Sequence, residues 1–137
     1  MRGRPAGERA VLALVFAGGC LGGGLRFGAG LAFPVRPLEF PTTLLAVNVV
    51  GTFLLALLLV LLAESRWQPA YAKPLLGTGF CGGLTTFSFV VGDSVLLYDA
   101  GRASTAAAYL GATILGGLGA AVAGWWTART VLGLRSR

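Results

Sequence analysis

The 137-residue chain contains no histidine, few charged residues and only two cysteines. Without histidine it lacks the usual general base, the proton shuttle and the commonest metal ligand of proteins. Cys20 and Cys81 stand far apart inside apolar runs, without the paired spacing of a zinc or redox motif, so we interpret both as small buried thiols. These features argue against an enzyme, and the sequence predicts none.

The scarcity of charge places the chain in a membrane. Charged residues make up 12% of the sequence and hydrophobic residues 55%, with a mean hydropathy of +0.79, whereas about a quarter of a soluble domain is charged. The formal net charge is +6, but the basic residues lie at the ends of apolar runs and form no stripe. This placement predicts contact with membrane lipid and argues against a nucleic-acid partner.

Four apolar runs cover residues 11–33, 42–63, 75–97 and 103–128. Each reaches the roughly 20 residues that a helix needs to cross a bilayer. The connections between them are too short to hold a soluble domain. The sequence therefore predicts an all-α membrane protein, with one domain over residues 1–137 and four transmembrane helices.

The N-terminus resembles a secretion signal in part, because a basic start leads into an apolar run that reaches Cys20. The residue three before this cysteine is Ala17, where a lipoprotein signal favours leucine. The run also continues to Phe33, which is long enough to span. We expect a retained first helix.

Basic residues are unequally divided between the two sides of the predicted bundle. At most three, Arg36, Arg102 and Arg26, belong to the side opposite the termini. The positive-inside rule then predicts both termini in the cytoplasm. Eight belong to the side that holds the termini: Arg2, Arg4, Arg9, Arg66, Lys73, Arg129, Arg135 and Arg137.

The third run is the least regular, with the sequence GTGFCGGLTTFSFVVGD over residues 77–93. Glycine is entropically costly in a helix and threonine is stiff at χ1, so we expect the helix to break between Gly82 and Thr86. A broken helix frees carbonyl groups that suit a cation and N–H groups that suit an anion. This stretch predicts an ion site inside the membrane.

Polar side chains in the other spans allow two interpretations each. The Asn48 amide either bridges helices or faces a pore, where its NH₂ group would be a neutral donor for a dehydrated anion. Tyr109 and Thr113 are four residues apart and share a helix face, as a hydroxyl track or as interhelical hydrogen-bond partners.

Charged and aromatic residues near the break are equally ambiguous. Arg26 is either functional or snorkels toward a helix end. Asp93 is either a helix-end acid or a vestibule acid. Phe87 and Phe89, taken alone, favour packing or lipid contact, although the positive edge of a phenyl ring can solvate an anion.

Three sequence elements together resemble the Fluc/CrcB family of fluoride channels. They are G-x-x-x-R at residues 22–26, N-x-x-G-T-F at 48–53 and G-G-L-T-T-F-S at 82–88. The resemblance covers essentially the whole chain. It implies an antiparallel, dual-topology dimer with two fluoride pores between the subunits and a structural sodium ion.

The resemblance also implies roles for individual residues. Backbone carbonyls of Gly82 and Thr85 would hold the sodium ion. Asn48 would be the pore amide and Phe87 the first residue of the family's phenylalanine box. The remaining polar residues of the implied pathway are Ser88, a nearby hydroxyl, and Tyr109 and Thr113 of the polar track.

The chain departs from the family pattern at two points. Val90 stands where the family has its second box phenylalanine, and Asp93 replaces a glutamate. Phe89 is adjacent to position 90 and points about 100° away in a helix, so it cannot substitute. The sequence therefore suggests one degraded pore. Together with the charge bias, this leaves open a homodimer or a heterodimer with an oppositely oriented paralogue.

The sequence thus predicts a passive fluoride exporter of the cytoplasmic membrane. One alternative is a small proton-coupled multidrug exporter, but its expected glutamate is missing from the first two spans. The other is a structural membrane subunit whose glycines only pack helices.

Overall fold

The computed structural model describes residues 7–64 and 69–133, and all regular structure in this part of the chain is helical. The first two helices are α1 (Glu8–Ala32) and α2 (Thr42–Glu64). The third span is composite, and a single long helix, α5 (Ala103–Val131), forms the fourth. The composite span consists of a π-helical segment (Lys73–Cys81), α3 (Gly82–Leu84) and α4 (Ser88–Asp99).

The all-α, four-span prediction is confirmed. Four helical segments are long and apolar enough to cross a membrane, and their ends differ from the expected ones by at most three residues. The connections are short, so consecutive spans run antiparallel. Five of the eight basic residues assigned to the terminal side lie outside the described residues: Arg2, Arg4, Arg66, Arg135 and Arg137. The spans are Glu8–Ala32, Thr42–Glu64, Lys73–Asp99 and Ala103–Val131.

Helix α1 packs directly against the backbone of the third span. A Cβ atom added to Gly22 would lie 2.7 Å from the backbone nitrogen of Leu84 and would also meet the carbonyl of Phe80. A Cβ atom on Gly83 would lie 2.5 Å from the carbonyl oxygen of Gly19. Only glycine permits this approach, which is the usual basis of helix association in membranes.

A second glycine contact joins α2 to α5. A Cβ atom on Gly124 would lie 3.1 Å from the Cβ atom of Ala56, and one on Gly116 would lie 3.1 Å from Cγ2 of Val49. Helix α5 also packs against α4. The third span therefore lies between α1 on one side and the α2–α5 pair on the other. Most of the large apolar side chains lie on the outer surface of this bundle.

The connections at the end opposite the termini are linked to each other. Gly101 has a φ of 76° and ends α4 in a Schellman motif, because its N–H donates to the Tyr98 carbonyl and the Arg102 N–H donates to the Leu97 carbonyl. The Arg102 guanidinium then donates to the carbonyl oxygen of Leu38, at 3.0 Å, in the α1–α2 connection. This link fixes the start of α5 relative to α2.

The two cysteines differ in their surroundings. Cys81 is buried as expected, at the end of the π-helical segment. Cys20 is exposed, so the prediction of a buried thiol is wrong there. It lies on α1 away from Gly18 and Gly22, the face that packs against the third span.

Candidate functional site

The third span breaks just after α3. Thr85 adopts an extended conformation, with φ −85° and ψ 153°, and the helix resumes at Ser88. Gly82 itself is helical, with φ −65° and ψ −33°. The break therefore lies at the C-terminal end of the predicted interval, because the glycines there serve the contact with α1 and the threonines carry the change of direction.

Asn48 supplies hydrogen bonds that the break removes from the helix. The Thr86 N–H donates to Asn48 Oδ1 at 2.8 Å, and Asn48 Nδ2 donates to the Thr86 carbonyl at 2.9 Å. The Asn48 side chain is only 8% exposed. Unpaired backbone groups at membrane depth are costly, so this amide holds the break in place. One N–H of Nδ2 is left over from the pair of bonds.

Threonine hydroxyls complete the local hydrogen bonding. Thr85 Oγ1 donates to the Cys81 carbonyl at 2.9 Å, and Thr52 Oγ1 donates to the Asn48 carbonyl at 2.8 Å. Thr86 Oγ1 lies 3.1 Å from Ser88 Oγ and accepts from the Phe89 N–H at 3.5 Å. The last contact places an oxygen at the N-terminus of α4, in the manner of an N-cap.

Two backbone carbonyl oxygens at the break lack a hydrogen-bond donor among the described residues. No described residue donates a hydrogen bond to the carbonyl oxygens of Gly82 or Thr85. Gly82 is exposed, and a Cβ atom there would meet nothing within 4 Å. Neutral carbonyl oxygens without a hydrogen-bond donor are suitable ligands for a hard cation.

A cavity of about 180 Å³ lies between α2, the break and α5. Its polar groups are neutral, and Phe87, which is 65% exposed, contributes an aromatic ring. Four of the predicted site residues therefore meet at one place. The lining consists of Asn48, Thr52, Thr85, Thr86, Phe87, Thr113 and Gly117.

Two hydroxyls on α5 are buried without a hydrogen-bond partner among the described residues, those of Tyr109 and Thr113. Thr113 lines the cavity, whereas Tyr109 lies one turn away and packs edge-on against Phe40, with ring centroids 5.5 Å apart. Buried polar groups are nearly always paired. These two hydroxyls are thus free to bind an ion or a partner.

Three other predicted residues lie outside this cavity. Ser88 is exposed beside Thr86. Val90 is fully buried and Phe89 is 58% exposed, so the two side chains point in different directions and Phe89 does not occupy the place of residue 90. Asp93 lies within α4 and lines a second cavity of about 260 Å³ with residues of the α1–α2 connection.

Arg26 lies on the α1 side of the third span. Its guanidinium carbon stands over the ring of Phe89, 5.3 Å from the ring centroid. The structure thus pairs two residues that the sequence left unconnected.

Sequence reasoning overlooked the role of Thr86, whose backbone N–H donates to Asn48 Oδ1 and whose carbonyl accepts from Asn48 Nδ2. No motif signals this contact, because it depends on how α2 is turned toward the third span. Thr52 lies four residues after Asn48 and therefore on the same face of α2, as its spacing in the sequence indicates.

The family described as "CrcB-like protein, Camphor Resistance (CrcB)" matches residues 13–125. The chain is 38% identical to fluoride-specific ion channel FluC 1 of Streptomyces coelicolor, over 95% of this chain and 93% of that relative. It is 42% identical to FluC 3 of Streptomyces avermitilis, over 95% of this chain but only 64% of that longer relative. A protein of Anaeromyxobacter dehalogenans named fluoride-specific ion channel FluC is 40% identical, over 89% and 98%.

Proposed function

Because this chain belongs to the CrcB family, we propose that it is a fluoride-specific ion channel that lets fluoride leave the cytoplasm passively. The observation that carries the proposal is the cavity of about 180 Å³ beside the break, with its neutral polar lining. A channel of this kind requires no catalytic step. The multi-pass protein would lie in the cytoplasmic membrane, where export lowers the toxicity of fluoride.

The lining suits the chemistry of fluoride. Fluoride is small, strongly hydrated and a strong hydrogen-bond acceptor, so a pore must replace its water with other donors. Neutral donors bind weakly enough for the ion to leave again, as conduction requires. The second N–H of Asn48, the unpaired Thr113 hydroxyl and the ring edge of Phe87 meet this need. Tyr109 and Ser88 would extend the path beyond the cavity.

The carbonyl oxygens of Gly82 and Thr85 would hold a structural sodium ion. Their lack of hydrogen-bond partners among the described residues fits a cation site. A bound sodium ion would offset the partial negative charge of these oxygens. The chain's own contribution is the local backbone conformation, since Thr85 is extended and its hydroxyl donates to the Cys81 carbonyl.

Lowering sodium to about one-tenth of the dissociation constant of the site is expected to slow fluoride efflux roughly tenfold, because the occupancy then falls to about one-tenth. Efflux from liposomes would be measured while sodium is replaced by N-methylglucamine at constant ionic strength, and activity should return when sodium is restored. Equal efflux at every sodium concentration would contradict a sodium requirement.

The exposed break favours a dimer. Phe87, Phe89 and Gly82 are exposed in the single chain, and a second subunit would enclose the ion path there. The partner would be a second copy or an oppositely oriented paralogue. Both termini would lie in the cytoplasm, with Arg9, Lys73 and Arg129 at that side.

Fluoride efflux from liposomes tests the function. The purified chain, alone and with a candidate paralogue, would be reconstituted in fluoride-loaded vesicles and followed with a fluoride electrode. With potassium and valinomycin present to carry the compensating charge, we expect efflux that a proton ionophore does not alter and no comparable chloride efflux. Efflux only with the paralogue would indicate a heterodimer. Dependence on a proton gradient would favour the multidrug-type exporter, and no efflux in either condition would favour a structural subunit.

A further inference from the structure

Arg26 carries a charge inside a membrane span without an acceptor for it. It lies six residues before Ala32, the last residue of α1, which is about 9 Å along the helix. No hydrogen bond or ion pair joins it to another described residue. Its contact is the face of Phe89, at 5.3 Å. Such a charge is costly in a membrane and therefore calls for a function.

The position of Arg26 follows from the packing of α1. Gly18 and Gly22 face the backbone of the third span, and Arg26 continues their helix face one turn further along. Because Gly22 already meets the backbone of Leu84, the next turn of α1 reaches the break and the start of α4. Phe89 stands in that first turn of α4.

We propose that Phe89 is a positioning residue that holds the Arg26 charge beside the break, where it attracts anions to the mouth of the pathway. The proposal rests on the proposed fluoride channel. A guanidinium held over a ring face by its charge, without a hydrogen bond, keeps its N–H groups available to meet an anion. Phe89 thus fixes the direction of these donors without neutralising them, as a carboxylate would.

The charge lies away from the conducting groups. Arg26 is on the α1 side of the third span, whereas the cavity with Asn48 and Thr113 lies on the side of α2 and α5. It therefore acts by raising the local concentration of anions and not by holding one in the path. The effect should be large at low fluoride concentration and small when fluoride saturates the channel.

The test measures efflux against fluoride concentration and ionic strength for variants of the full chain. Arg26→Gln is expected to raise the half-saturating fluoride concentration roughly tenfold, to leave the maximal rate within about twofold and to flatten the dependence on ionic strength. Phe89→Leu should give about a threefold rise in half-saturation, since it removes the cation–π contact but keeps an apolar side chain. Phe89→Tyr should behave as the wild type.

Phe16→Leu is the matched control, because this phenylalanine is also exposed, on α1, and no cation of residues 7–64 or 69–133 lies over its ring. A lower maximal rate in Phe89→Leu with unchanged half-saturation would show a merely structural role and overturn the proposal. Wild-type behaviour of Phe89→Leu would do the same. Absence of efflux in the wild type would instead count against the channel function.

A second measurement does not depend on transport. Phenylglyoxal modifies accessible guanidinium groups, and the extent of modification at Arg26 can be read by peptide mass spectrometry. Because phenylglyoxal is much larger than fluoride, the Phe89 ring should hinder its approach to Arg26, so modification should be several-fold faster in Phe89→Leu than in the wild type, Phe89→Tyr or Phe16→Leu. Equal rates in all four proteins would overturn the positioning role, whether or not the chain conducts.

Discussion

Replacing Asn48 by alanine is expected to abolish fluoride efflux and to lower the free energy of unfolding by about 3 kcal/mol. The change leaves the N–H and the carbonyl of Thr86 without their partners, at 2.8 and 2.9 Å in the native chain. It also removes the neutral donor from the cavity. Efflux from liposomes and denaturant unfolding in detergent would measure the two effects.

Ser94→Ala is the control for this substitution. Ser94 is as buried as Asn48, but its hydroxyl donates to the Val90 carbonyl within one helix, at 2.7 Å. Its loss leaves the break untouched and should cost under about 1 kcal/mol. If Asn48→Ala had normal efflux and stability, neither the two hydrogen bonds to the Thr86 backbone nor the amide donor would be needed.

Gly22→Val is expected to prevent α1 from packing against the third span and so to remove most of the folded protein. The new side chain would meet the Phe80 carbonyl and lie 2.7 Å from the Leu84 nitrogen. These are backbone atoms, which cannot turn aside as a side chain can, so the cost should be about 3 kcal/mol or more. The yield of monodisperse protein and its efflux would both fall.

Gly24→Val separates this clash from the general effect of valine in a helix. Gly24 lies two residues away on α1, and a Cβ atom there would meet nothing within 4 Å. Both variants replace glycine by valine within the same helix, so the change in helix propensity is the same in both. If the two proteins were obtained in equal yield and were equally active, the close approach at Gly22 would not be required.

The spans were predictable because the length of an apolar run is a direct physical requirement of the bilayer. The exposure of Cys20 was not predictable. Lipid is as apolar as a protein core, so the sequence of a span does not distinguish its lipid-facing positions from its packed ones. Cys81 happened to face inward and Cys20 outward.

The break was predicted to within a few residues, but the reason given for it was incomplete. Gly82 and Gly83 remain helical, and the extended residue is Thr85. The sequence could not show this, because a glycine that unwinds a helix and one that admits a neighbouring helix look the same. Which role applies depends on α1, whose Gly19 lies against Gly83.

The candidate site was predictable as a set of residues and not as an arrangement. Helical spacing places Tyr109 and Thr113 on one face, yet only the packing shows that both hydroxyls are buried and unpaired among the described residues. Asn48 allowed two interpretations from sequence, helix bridging and pore lining. In the structure Asn48 bridges α2 to the third span through Thr86, and one N–H of its amide remains available for pore lining.

The two hydrogen bonds between Asn48 and Thr86 also constrain the order in which the chain enters the membrane. The two residues are 38 positions apart, so the partner of the broken segment belongs to a different span. A third span inserted alone would carry unpaired backbone groups into the hydrocarbon. Stable insertion of this segment therefore depends on α2 being in place beforehand, and the chain order supplies α2 first. The third span therefore reaches its folded state only together with α2.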